Sequence, residues 1–144
     1  MSDFYDDLET RSQDQRESIQ IALLRNQLVH AKANTPFYRD LLAAVNPDDV
    51  TDLAALARLP VTRKSDLLAG QQAMRPFGGL TATPPGDLLR VFLSPGPIAD
   101  PEGHDADWWR VGRAFHAAGF RKGQITLNCF SYHHTPAGHM META

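Results

Sequence analysis

Two segments hold the residue types from which chemistry is built. The first is Ser94-Pro95-Gly96-Pro97-Ile98-Ala99-Asp100-Pro101-Glu102-Gly103, which follows a short apolar run. In open α/β sheets, ligands gather at the carboxyl ends of the strands, so this loop is the first place to look. A phosphate cradle needs successive backbone N–H groups, hydroxyls, a glycine for close approach and usually a cation. Here Pro95, Pro97 and Pro101 have no N–H, Asp100 and Glu102 add negative charge, and no Lys or Arg lies between Arg90 and Arg110. The residues admit a phosphate loop or a rigid structural turn, and their chemistry favours the turn. The second segment is Phe130-Ser131-Tyr132-His133-His134-Thr135-Pro136-Ala137-Gly138-His139. Its three histidines and the nearby Cys129 raise zinc, for which imidazole and thiolate are favoured ligands. Adjacent His133 and His134 point apart, however, and Cys129 falls in an apolar run where it is expected to pack as a small hydrophobe, so no metal site is expected. Ordinary polar or pocket roles are expected of these side chains instead. The alternative is that Tyr132 and His134 finish a core at a sheet edge.

The elements that must position these segments are legible from periodicity and punctuation. Ser12 and Gln15 have the spacing of a capping box, and Ile21, Leu24, Leu28 and Ala31 recur at helical steps, which predicts an amphipathic helix over 13–33. Thr35-Pro36 supplies a capping hydroxyl and a first-turn proline for a second helix reaching Val45, after which Asn46-Pro47-Asp48-Asp49 is a turn. Asp52 caps a short piece to Arg58, and Thr62 another from Arg63 to Ala69. From Gln71 to Gly86 the glycines and prolines predict a loop. The run Leu88-Leu89-Arg90-Val91-Phe92-Leu93 reads as a buried strand. Trp108, Val111, Phe115 and Ala118 are spaced as a helix that Asp105 caps and Gly119 closes in a left-handed conformation, and Gln124 to Phe130 reads as another strand. Strand, helix, strand is a βαβ unit, whose crossover is expected to be right-handed with parallel strands. A last helix starts near Thr135-Pro136.

Composition narrows the class. The chain has 144 residues, 42% of them hydrophobic, with 14 Lys+Arg against 17 Asp+Glu and a single cysteine. A net charge of −3 gives no diffuse attraction for a phosphate backbone or anionic lipid, so neither nucleic acid nor a membrane surface is an expected partner. The amino terminus is acidic where a signal or transit peptide would be basic, and no long apolar span occurs, which with one cysteine predicts a reducing cytoplasm.

Pro36-Phe37-Tyr38-Arg39, followed by Leu59-Pro60-Val61-Thr62-Arg63-Lys64 and Asp66-Leu67-Leu68, resembles the amino-terminal region of phenylacetate–CoA ligases. The resemblance runs from about Tyr5 to Met140 and rests on the order of the motifs. That family activates a carboxylic acid with ATP to an acyl-adenylate, then transfers the acyl group to coenzyme A. The resemblance implies an α/β fold, with a helical region and connectors over 1–86 and the start of an AMP-binding-type domain over 87–144. It implies ATP, Mg and coenzyme A as cofactors of the parent protein. Against the family's nucleotide loop, roughly Ser-Ser-Gly-Thr-Thr-Gly-Lys-Pro, only Ser94, Gly96 and Pro101 match. Pro97 and Ile98 replace its hydroxyl residues, Ala99 its second glycine and Asp100 its lysine, a charge reversal unfavourable beside a triphosphate. The aromatic turn that lines the family's acyl pocket falls on Tyr132, His133 and Gly138.

Two parallel strands with one crossover helix make too narrow a sheet to stand alone, so the chain is expected to be the front portion of a larger domain. The later adenine-binding stretch, the magnesium-holding Glu and the small carboxy-terminal domain with its catalytic Lys, all implied by the resemblance, would lie beyond Ala144. The expected function is therefore part of an acyl- or aryl-carboxylate–CoA ligase, inactive alone. The alternative is a non-catalytic binding or interaction module on the same fold, pairing through its exposed sheet edge.

Overall fold

The computed structural model describes residues 3–94 and 96–144. They form two compact units: residues 11–82, and residues 83–144 together with the first ten.

The first unit is helical and its caps follow the sequence. Helix α1, Gln13–Asn34, opens on a complete capping box: Ser12 Oγ accepts from the Gln15 amide while the Gln15 side chain accepts from the Ser12 amide. Thr35 joins it to α2, Pro36–Leu41. The Thr35 hydroxyl donates to the Ala31 carbonyl at 2.8 Å and accepts from the Tyr38 amide at 3.4 Å, so this buried residue satisfies one helix end and starts the next. The second helix stops at Leu41, short of the expected Val45, because the chain turns through residues 42–44 to bring Val45 beside Lys32, whose Nζ donates to the Val45 carbonyl. Asp52 caps α3, Leu53–Leu56, as expected. Helix α4, Lys64–Ala73, departs from expectation at both ends. Thr62 does not cap it, extended Arg63 precedes it without a side-chain bond, and it runs past Ala69 to carry Gln71 into a buried position. Leu28, Leu42, Val50 and Ala55 make the core, with Leu24, Tyr38, Val45 and Leu59 against it.

The second unit is built on a hairpin. Strand β1, Arg90–Ser94, pairs antiparallel with β2, Ile98–Glu102, in the register Arg90 to Glu102, Phe92 to Asp100 and Ser94 to Ile98. The expected parallel βαβ is therefore not formed among the described residues. The segment expected to be loop folds back as a strand, and the segment 124–130 carries no strand pairing. The physical reason lies in exposure: Ile125 and Leu127 are 103% and 85% exposed, and a parallel strand needs neighbours on its edges and faces that these residues do not have here. Cys129, expected inside that strand, is exposed and free.

Alternation places Arg90, Phe92 and Ser94 on one face of the hairpin with Ile98, Asp100 and Glu102. That face packs, with Phe92 and Ile98 buried, while Val91 and Leu93 on the other are exposed. Helix α5, Gly112–Ala117, is shorter than expected. Asp107 and Arg110 have positive φ (52° and 58°), which ends any helix through the tryptophans, and Asp107 rather than Asp105 supplies the cap, its Oδ1 accepting from the Val111 and Gly112 amides. Gly119 follows with φ 97°, the left-handed closure expected of it. Helix α6, Ala137–Glu142, begins one residue after Pro136.

Candidate functional site

The two chemical segments of the sequence meet in the second unit. The Leu93 amide donates to the His134 carbonyl at 2.7 Å, so the free edge of β1 is bonded to the aromatic turn. Ser94 and the turn after it thus lie next to the segment carrying Tyr132, His133 and Gly138.

The hairpin is held by a buried charge. Glu102 is 1% exposed; one carboxylate oxygen accepts from Arg90 Nη1 at 2.9 Å, the other from the Trp109 indole N–H at 3.2 Å. This fixes the register across the strands and pins the 108–109 turn to the sheet. Trp109 also packs on Phe92, with ring centroids 6.1 Å apart, and Trp108 closes over Gly103, where any Cβ would lie 2.4 Å from the indole. The pair had a signature in the sequence: Arg90 and Glu102 are opposite charges equidistant from Gly96.

The site residues read from the loop do not make a phosphate cradle. The Ser94 hydroxyl donates to the Ile98 carbonyl at 3.4 Å, and Pro97 offers no N–H. Gly96, with φ 124° and open space around it, contributes one backbone amide, and Pro101 sits in the ladder opposite Val91. Asp100 is the only charged group between Ser94 and Pro101. A triphosphate needs several donors and a cation, so the donor set here does not fit ATP. Among the described residues no group of three or more His, Cys, Asp or Glu side chains could hold a metal ion.

The aromatic turn is better organised. Asn128 Nδ2 donates to Tyr132 Oη at 2.8 Å and to the Gly138 carbonyl at 2.9 Å, and the Gly138 amide donates to the Ser131 carbonyl at 3.2 Å. Gly138 is required by this closure, because a Cβ would stand 2.5 Å from the Ser131 carbonyl oxygen. Tyr132 is half-exposed and its ring meets His139 edge-on at 5.0 Å; His139 in turn lies 5.4 Å from buried Phe92. His133 is exposed, so the histidine brought against Tyr132 is His139 instead. The sequence reading missed Asn128 and weighed His139 only as one of three histidines for zinc, since neither has a spacing to Tyr132 that marks it. A cavity of about 640 Å³ between Phe4, Tyr5 and α5 contains none of these residues.

A short hairpin joined to an aromatic turn that leads into a helix, with a capped helical region earlier in the chain, matches the amino-terminal part of an α/β ligase fold. The solved structure of 2-hydroxyisobutyryl-CoA ligase in the postadenylation state in complex with R3-HIB-AMP matches 85% of the chain with a TM-score of 0.77 and 26% identity, over 27% of its own length. The same enzyme in complex with 2-HIB-AMP and CoA matches with a TM-score of 0.74. The chain is homologous to phenylacetate–coenzyme A ligases: it is 35% identical to that of Aromatoleum evansii over 134 residues and 36% identical to that of Pseudomonas putida over 136. These alignments take in 87% and 88% of the chain but only 29% and 30% of the relatives. No protein-family profile matches. No helix is long and apolar enough to cross a membrane among the described residues.

Proposed function

We propose that this chain is the amino-terminal part of an acid–CoA ligase, a protein that in its entirety joins a carboxylic acid to coenzyme A through an acyl-adenylate. The observation that carries the reading is homology across nearly the whole chain to phenylacetate–coenzyme A ligases roughly three times as long. In that protein ATP and Mg would supply carboxylate activation, and coenzyme A the acceptor thiol. The contribution of these residues is the acyl side: Tyr132 and His139, backed by buried Phe92, offer an aromatic surface beside the hairpin, with Gly138 letting the turn close. An aryl or acyl carboxylate suits such a surface. A cytoplasmic setting suits the exposed, unpaired Cys129.

By itself the chain does not adenylate a carboxylate, because its loop lacks the donors a triphosphate needs and gives Asp100 in place of a cation. The purified 144-residue protein, given Mg–ATP and a panel of aryl and acyl carboxylates, should release no pyrophosphate above background. Carboxylate-dependent turnover would overturn this part of the reading.

A second reading, a non-catalytic interaction module, is favoured by one observation. Val91, Leu93, Ile125 and Leu127 are apolar and half-exposed or more, which is surface fit for contact with further chain.

A further inference from the structure

At Asn128 the direction of a hydrogen bond is fixed by its surroundings. The Asn128 Oδ1 accepts from the Phe130 amide at 3.0 Å, and Nδ2 donates to the Gly138 carbonyl at 2.9 Å. Both partners are backbone groups whose roles cannot change, so a flipped side-chain amide would set oxygen against oxygen and N–H against N–H. Nδ2 is therefore the atom 2.8 Å from Tyr132 Oη, and the phenol accepts there. A phenol has one proton to give. With Asn128 occupying its acceptor side, that proton points away from Asn128, and among the described residues no acceptor takes it. The edge-on His139 ring restrains the phenol plane, and Tyr132 at 43% exposed keeps the hydroxyl within reach of a ligand.

We infer that Asn128 is a positioning residue that fixes the Tyr132 hydroxyl as an outward hydrogen-bond donor, directed at an anionic oxygen of a bound carboxylate. The ligand half of this rests on reading the turn as the acyl site; the polarity of the pair does not. A donor of this kind holds a carboxylate oxygen in place while the aromatic rings take the apolar part, and it excludes ligands that bring only a second donor.

The test uses the chain labelled with carbon-13 at tyrosine Cζ, the Tyr132 resonance being assigned by its loss in Tyr132→Phe. Asn128→Asp keeps the acceptor for the Phe130 amide but turns the phenol contact around, because the new carboxylate takes the Tyr132 proton. Without ligand, the Tyr132 Cζ resonance should move in Asn128→Asp while the other tyrosines stay. Phenylacetate should shift the Tyr132 resonance saturably in the parent chain, 2-phenylethylammonium, which brings donors alone, should not, and Asn128→Asp should weaken phenylacetate about tenfold. In a Tyr132→Phe background the same substitution should cost little further, whereas a merely structural loss through Gly138 would persist in full. An unmoved Tyr132 resonance in folded Asn128→Asp, or a full loss in the Tyr132→Phe background, overturns the role given to Asn128. A moved resonance that phenylacetate leaves untouched upholds that role and sinks the acyl-site reading instead.

Discussion

Arg90→Met should destabilise the second unit by about 3 kcal/mol, more than Glu102→Leu at the other end of the same ion pair. The asymmetry follows from burial. Glu102 is 1% exposed and Arg90 36%, so removing the guanidinium leaves a carboxylate in the interior with only the Trp109 indole to answer it. Removing the carboxylate leaves a guanidinium that can turn to water, together with an unpaired indole N–H, at about 1–2 kcal/mol. Both tryptophans lie in this unit, so denaturant titration followed by tryptophan fluorescence reports its unfolding directly. Equal losses, or a greater loss for Glu102→Leu, would contradict the asymmetry, because leaving the buried carboxylate unpaired would then cost no more than removing it.

Gly138→Ala should cost about 2–3 kcal/mol although the site is helical. At an ordinary helix position alanine gains up to about 1 kcal/mol over glycine, so the local preference favours the substitution. The close approach decides the sign. The added methyl would meet the Ser131 carbonyl oxygen at 2.5 Å and the Tyr132 ring at 3.0 Å, and a backbone oxygen cannot rotate away. Relief requires the 131–138 turn to open, which breaks the Gly138 to Ser131 bond and strains both the Asn128 contact and the Leu93 to His134 bond. Tryptophan fluorescence gives the stability change, and amide exchange at Leu93 tests the mechanism: faster exchange is expected in the variant, and unchanged exchange with unchanged stability contradicts it.

How much of this was legible in the sequence depended on where the partners of each residue lay. The helical unit reads well because its determinants are local: the Ser12 and Gln15 box, Thr35-Pro36, and Asp52 each satisfy amides within three residues. The hairpin was hidden because β2 reads Ile-Ala-Asp-Pro-Glu, with Asp and Pro both poor strand formers. Proline is tolerated because it lies in β2, whose outer edge has no strand partner among the described residues, and burial of Ile98 with the Glu102 ion pair outweighs local propensity. The run Ile125 to Phe130 failed in the opposite sense. Its pattern is that of a strand, but among the described residues no segment pairs with it. At the aromatic turn, Tyr132 and Gly138 were visible as types, while Asn128 and His139 became visible only when the turn folded ten and seven residues back upon itself.

The relatives are phenylacetate–coenzyme A ligases of far longer chain, and this chain matches about 29% of such a protein. We propose that it carries, besides the fold, the acyl side of that site and that its hairpin turn serves no nucleotide. Calorimetric titration of Mg–ATP into the 144-residue protein tests this most directly. No saturable heat up to millimolar nucleotide is the predicted result. Stoichiometric binding that disappears in Ser94→Ala or Gly96→Val would contradict it, because the hairpin turn would then be a working phosphate site despite Asp100 and its prolines.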